Sequence, residues 1–99
     1  MSDTTTWSEE RNNGFGDALV SMYTDECSGI VEYGEMVKTA DLQYPSAGYA
    51  HMIRDIMCEE VVHRDHIKEM LEDMGVKFTD EMAEAEARSN KAYADTFHF

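Results

Sequence analysis

Two stretches of the chain repeat apolar residues at alternating steps of four and three, the spacing of a helix packed along one stripe. In the first, Leu19, Tyr23, Glu26, Ile30, Tyr33, Val37 and Ala40 follow in that rhythm. In the second, the series is Tyr49, Ile53, Ile56, Glu60, His63, Ile67, Met70 and Met74. A sustained seven-residue seam is the pattern of helices in a bundle. No proline interrupts Asp17 to Ala40, and Pro45 suits the first turn of a following helix. The spacing therefore predicts helices over 16–40 and 45–74, with Gly75 as a C-terminal cap. Thr79-Asp80 reads as an N-cap opening a third helix over 79–96, acidic and alanine-rich. Its apolar face is thin (Met82, Ala85, Tyr93), which suits a helix lying across a partner or an oligomer surface. Residues 1–13 read as a loose N-terminus. Thr6 and Glu9 have the spacing of a capping box, and Asn12-Asn13-Gly14-Phe15-Gly16 is poor helix material.

A short connection makes the first two helices antiparallel neighbours. The expected fold is all-α, a single domain over 1–99: a two-helix hairpin plus a short third helix. A lone hairpin leaves apolar faces uncovered, and a chain of 99 residues buries a limited share of its surface. Two copies related by a two-fold axis solve this as a four-helix bundle, so a homodimer is the expected minimal unit.

The seams contain residues that do not belong in a dry core. Glu60 and His63 stand three apart, so their Cβ atoms lie roughly 5–6 Å apart on a helix. Glu26 interrupts the other seam. Glu26 lies 17 residues before Gln43 and Glu60 lies 17 after it, so a hairpin turning there sets both at one height. Buried charges are costly unless paired or bound to a cation. Two-fold symmetry would gather four carboxylates and two imidazoles, a ligand set used by di-iron carboxylate proteins. Oxygen and nitrogen donors without thiolate favour iron or manganese, with zinc also possible by affinity. The bland alternative is a hydrogen-bonded or ion-paired cluster that sets helix register.

Charge narrows the partners. The chain carries 21 acidic and 8 basic residues, a formal charge of −13. Nucleic acid and anionic membrane both require a basic patch, so neither is expected. No apolar run approaches the ~20 residues of a membrane span, and no secretory leader is visible. Two cysteines, Cys27 and Cys58, are too few for a disulfide framework. These features together point to a cytoplasmic protein or one held inside an intracellular protein compartment.

The segment Glu26-Cys27-Ser28-Gly29-Ile30-Val31-Glu32-Tyr33, with Glu60-Val61-Val62-His63, resembles the ferritin-like superfamily over roughly Asp17 to Met74. It is most similar to a rubrerythrin-type half or to the short encapsulated ferritins, whose metal sites assemble between chains. The resemblance implies Glu26, Glu60 and His63 as iron ligands, two irons per dimer interface, and Tyr33 as a tyrosine that holds a ligand carboxylate. It implies ferroxidase activity, with these four residues as the catalytic set, and a possible encapsulin-type shell or electron donor as partner. Ser28 stands where the encapsulated ferritins carry an acid of an iron-access site, Asp25 can supply an acid nearby, and Glu32 replaces a tryptophan. No rubredoxin module and no clear encapsulin-targeting tail is present.

Two rival readings remain: a peroxide reductase fed with electrons by a separate partner, and a non-catalytic helical oligomer or cargo module. Glu59, Glu32 and His66 are candidates for auxiliary roles. Cys27 and Cys58 read as buried thiols before redox groups, His51 and His98 as surface residues, and the eight methionines as core filling.

Overall fold

The computed structural model describes residues 12–97, and among these the chain is all-helical, with three α-helices. A π-helical turn, Asn12–Gly16, leads into α1, Asp17–Gln43. The helices α2, Tyr49–Asp73, and α3, Asp80–Phe97, follow. The Thr6–Glu9 capping box and the aromatic tail beyond Phe97 lie outside the described residues.

Helix α1 runs past Ala40 because nothing before Tyr44 breaks it; the Tyr44 amide still donates to the Ala40 carbonyl at 2.8 Å. Helix α2 begins four residues after Pro45. Gly48 takes a left-handed φ of 78°, which cannot lie inside a helix, and Tyr49 is the first helical residue beyond it. At the other end, Gly75 adopts φ 71°. The Val76 amide reaches Leu71 and the Gly75 amide reaches Glu72, each at 3.0 Å, a Schellman ending. Thr79 caps α3 by accepting from the Met82 amide at 3.2 Å.

Helices α1 and α2 form the antiparallel hairpin, and α3 packs back into one side of it. The main core joins all three helices through Leu19, Tyr23, Cys27, Ile67, Leu71, Met82 and Ala85. A smaller cluster of Val37, Ala40 and Ala50 closes the end near the connector. At Gly34 helix α3 comes close to α1: a Cβ there would meet Thr96 Oγ1 at 3.3 Å and Ala92 Cβ at 3.6 Å. Small residues on α3 (Ala85, Ser89, Ala92) serve the same close approach.

The stripe that packs within the chain is not the seam read from spacing. On α2 the buried positions are Ala50, Met57, Arg64, Ile67 and Leu71, while Tyr49, Ile56 and Met70 of the expected seam are exposed. On α1 they are Leu19, Tyr23, Cys27, Ile30, Gly34, Val37 and Ala40, so Cys27 and Gly34 take places assigned to Glu26 and Tyr33. The chain's own α3 occupies one side of the hairpin, and this rotates the buried stripe of each helix toward it. Helix α3, expected to lie across a partner or an oligomer surface, instead packs on its own hairpin, with Met82 and Ala85 buried and Tyr93 half-buried.

Polar contacts fasten α3 along its length. Arg64, only 6 % exposed, donates from Nη1 to Ser89 Oγ and to Asn90 Oδ1, each at 2.7 Å, and from Nε and Nη2 to Asp65. Tyr23, fully buried, donates its hydroxyl to Glu86, which also receives Lys68. Burial works against the Glu86 carboxylate, but the bonds from Tyr23 and Lys68 outweigh it and hold its pKa below the usual value. Arg54 reaches the Thr96 carbonyl at 3.4 Å. Among the described residues no helix is long and apolar enough to cross a membrane.

Candidate metal centre on the open face of the hairpin

The side of the hairpin away from α3 carries the three residues expected as ligands. Glu26 on α1 and Glu60 and His63 on α2 each offer a ligand atom, and these atoms all lie within 4.8 Å of one another. The hairpin register places the two carboxylates opposite each other, and the three-residue step puts His63 beside Glu60. His63 Nδ1 stands 3.4 Å from Glu60 Oε1. All three residues expected from the sequence are therefore brought together. They are not sealed in a core, however: the Glu60 side chain is 21 % exposed and that of His63 is 55 % exposed.

Glu26 is the least satisfied member. Its Oε2 is buried and has no hydrogen-bond partner. Burial, then the neighbouring Glu60, raises its pKa from 4.5 to about 7, with Asp25 adding to the rise and His63 opposing it. Two ionised carboxylates can only repel. A proton on Glu26 turns the pair into donor and acceptor, and a cation placed between them would do the same work more fully. A buried carboxylate oxygen with nothing to bind, facing a second carboxylate and an imidazole, fits a metal ion by the chemistry of its donors.

The raised Glu26 pKa fixes a pH dependence for the metal-free chain. Between pH 4.5 and about 7 the folded state holds a proton that the unfolded state has lost, so stability falls as pH rises through this window and levels above it. Urea midpoints measured in chelator should therefore be higher at pH 5.5 than at pH 8, and the part of the difference due to Glu26 should vanish in Glu26→Gln.

The other expected residues are dispersed. The half-buried Tyr33 ring lies 3.9 Å from the position of a Gly29 Cβ, and its hydroxyl makes no hydrogen bond to Glu26 or Glu60 among the described residues. A Cβ at Gly29 would meet only the Tyr33 ring of its own helix, so no other helix of the chain approaches there. Asp25, Glu59 and His66 are exposed. Glu32 and Ser28 border a groove between α1 and α3, with Arg88, and so belong to a different side of the molecule. Cys27 is buried against α3, where burial pushes its thiol pKa up despite Ser89 and Arg64. The Cys58 sulfur lies 4.0 Å from the Tyr93 hydroxyl. Neither cysteine joins the ligand cluster, and His51 is exposed beside Asp55.

Sequence reading missed how the basic residues are distributed. Among the described residues, Arg88 and Lys91 belong to α3, while Arg54, Arg64 and Lys68 bond to it. Lys38 lines the α1–α3 groove, and Lys77 sits in the α2–α3 connector. None stands on the face that bears Glu26, Glu60 and His63. That face is instead flanked by exposed apolar side chains: Phe15, Met22 and Met36 beside α1's ligand, and Tyr49, Met52, Ile56 and Met70 beside those of α2.

No family model, no curated protein and no solved structure matches the chain.

Proposed function

We propose that the chain is a ferritin-like iron-binding protein that oxidises Fe(II) at a di-iron carboxylate site shared between two copies. The observation that carries this reading is the buried, unpartnered Glu26 carboxylate oxygen set against Glu60 and His63. Three ligands on an open face are half of a two-metal set; a second copy presenting the same face supplies the other half. Glu26 and Glu60 bind and neutralise the cations, and His63 offers a neutral nitrogen that fixes geometry. A pair of Fe(II) ions held there can give one electron each to O₂ or peroxide. Tyr33, adjacent to Gly29 and without an acceptor among the described residues, would hold a carboxylate of the assembled site. The lack of Lys and Arg on this face among the described residues favours cation uptake and disfavours pairing of two bare faces, so metal and partner would arrive together. Manganese or zinc suits the same donors by affinity.

The experiment is an Fe(II) titration under nitrogen followed by exposure to air. Sedimentation reports mass and optical absorbance reports oxidation. Binding of two Fe(II) per two chains, with dimer formation and rapid oxidation, is expected, and Glu60→Ala should lose all three. Rapid turnover of hydrogen peroxide with slow aerobic oxidation would favour the peroxide-reductase reading instead. Oligomerisation that ignores metal, with no oxidation, would leave a non-catalytic helical assembly.

A further inference from the structure

Arginine and lysine are scarce in this chain, 8 in 99 residues, yet three of them line one groove between α1 and α3. Lys38 stands on the α1 wall, and Arg88 and Lys91 stand one helical turn apart on the α3 wall. Gly34 and Ala92 also line this groove of about 230 Å³, and their small size keeps the space between the walls open. The two lysines are loosely committed. Lys38 meets Glu35 at 3.4 Å and Lys91 meets Asp95 at 2.9 Å, each within its own helix. Both side chains of each pair are more than half exposed, and such pairs contribute little. Arg88 is not committed at all. Arg54 and Arg64 hold the carboxylates of Asp41 and Asp65, whereas Arg88 makes no hydrogen bond or ion pair among the described residues. Glu84 precedes it by one helical turn and Glu32 lines the same side of the molecule, but it pairs with neither. Its guanidinium donors therefore remain open to an acceptor from outside the chain.

Arg88 and Val31 also border a second space, of about 220 Å³, whose lining includes Ser28, Glu32 and Ala85. The formal charge of −13 repels anions at long range, so an anion can be held here only by groups in contact with it. A polyanion is excluded on the same ground. Two ammonium groups and a guanidinium on opposite walls suit one compact head with about two charges and three acceptor oxygens, as in a phosphate monoester. A single carboxylate brings one charge and two oxygens, and leaves one of the three cations unmet. Past the head, Val31 and Ala85 offer apolar surface, and Ser28 and Glu32 can bond hydroxyl groups. We infer that the α1–α3 groove binds a small phosphate monoester with a hydroxylated body. Its phosphate sits between Arg88, Lys91 and Lys38, and its body runs along Val31 toward Ser28 and Glu32. The site is independent of the metal centre, because none of its cations stands on the face of Glu26, Glu60 and His63.

The test titrates the metal-free full chain with glycerol 3-phosphate and follows its backbone amide shifts. Saturable shifts confined to residues 27–38 and 85–96, which hold the groove lining, are expected. Shifts scattered over the whole surface, or none at all, would overturn the inference. Arg88→Ala should weaken binding at least tenfold with unchanged helical circular dichroism, as the side chain is exposed. Arg88→Lys should restore only part of the loss, because an ammonium lacks the forked donors. Lys77→Ala removes the same charge from the connector, away from the groove, and should change the affinity less than about twofold. Equal losses in Arg88→Ala and Lys77→Ala would reduce the effect to general charge attraction and overturn the site. Two further probes test the ligand class. Inorganic phosphate should bind at least fivefold more weakly than glycerol 3-phosphate, and equal affinity would overturn the role given to Ser28 and Glu32. Succinate should also bind more weakly, and tighter binding of this dicarboxylate would overturn the phosphate assignment.

Discussion

Glu26→Gln will leave the metal-free chain more stable at pH 8 by about 1–2 kcal/mol and, under the proposed function, will weaken its binding and oxidation of Fe(II). The wild-type carboxylate holds a buried oxygen without a partner and faces Glu60. A rise from 4.5 to about 7 would be worth about 3 kcal/mol in a sealed core. Solvent on the open side reduces that to the smaller figure. Glutamine keeps the shape, donates an amide hydrogen to Glu60 and carries no charge, so the repulsion disappears. The same change removes an anionic ligand, and the apparent Fe(II) affinity should fall at least a hundredfold. Urea denaturation in chelator and anaerobic Fe(II) titration measure the two effects. A variant that is less stable than wild type and still oxidises Fe(II) at the wild-type rate would refute the assignment of Glu26.

Arg64→Ala will cost about 3–4 kcal/mol and will loosen α3 before the hairpin. The side chain is 6 % exposed and joins α2 to Ser89 and Asn90 of α3, with Asp65 compensating its charge. Truncation removes these bonds and opens a cavity beneath the mid-point of α3. Arg64→Met is the informative companion. Buried ion pairs are often replaced by a hydrophobe of similar volume at little net cost. If filling the space is what matters, methionine should recover all but about 1 kcal/mol. If α3 is fastened mainly by the guanidinium bonds, methionine will behave like alanine. Hydrogen exchange resolves the cases, because amides of α3 should lose protection ahead of those in α1 and α2.

The helices were legible because their punctuation is local. The break at Tyr44-Pro45, the left-handed Gly75 and the Thr79 cap act over a few residues, and each leaves a mark in composition. The meeting of Glu26, Glu60 and His63 was legible because the hairpin register fixes heights whatever the exact turn. The orientation of the helices about their own axes was not. Tyr49, Ile56, His63 and Met70 and the stripe Ala50, Met57, Arg64 and Leu71 sit on neighbouring sides of one helix, and both obey a seven-residue repeat. Spacing alone prefers the first, since Arg64 spoils the second. Only the position of α3 shows that an arginine with three polar partners can occupy a core stripe, and that Gly34 is the point of close approach rather than Gly29. The start of α2 was missed for a similar reason: Pro45 is compatible with a first turn, but Gly48 in a left-handed conformation terminates the connector later.

The formal charge of −13 surrounds this rod, 61 × 22 × 17 Å, with a field that attracts cations. Under the proposed function, hydrated Fe(II) ions diffusing nearby would be drawn in faster than random collision delivers them in dilute buffer. Added electrolyte shortens the reach of that field to about 8 Å at 0.15 M. The rate of ion capture should therefore drop as ionic strength rises.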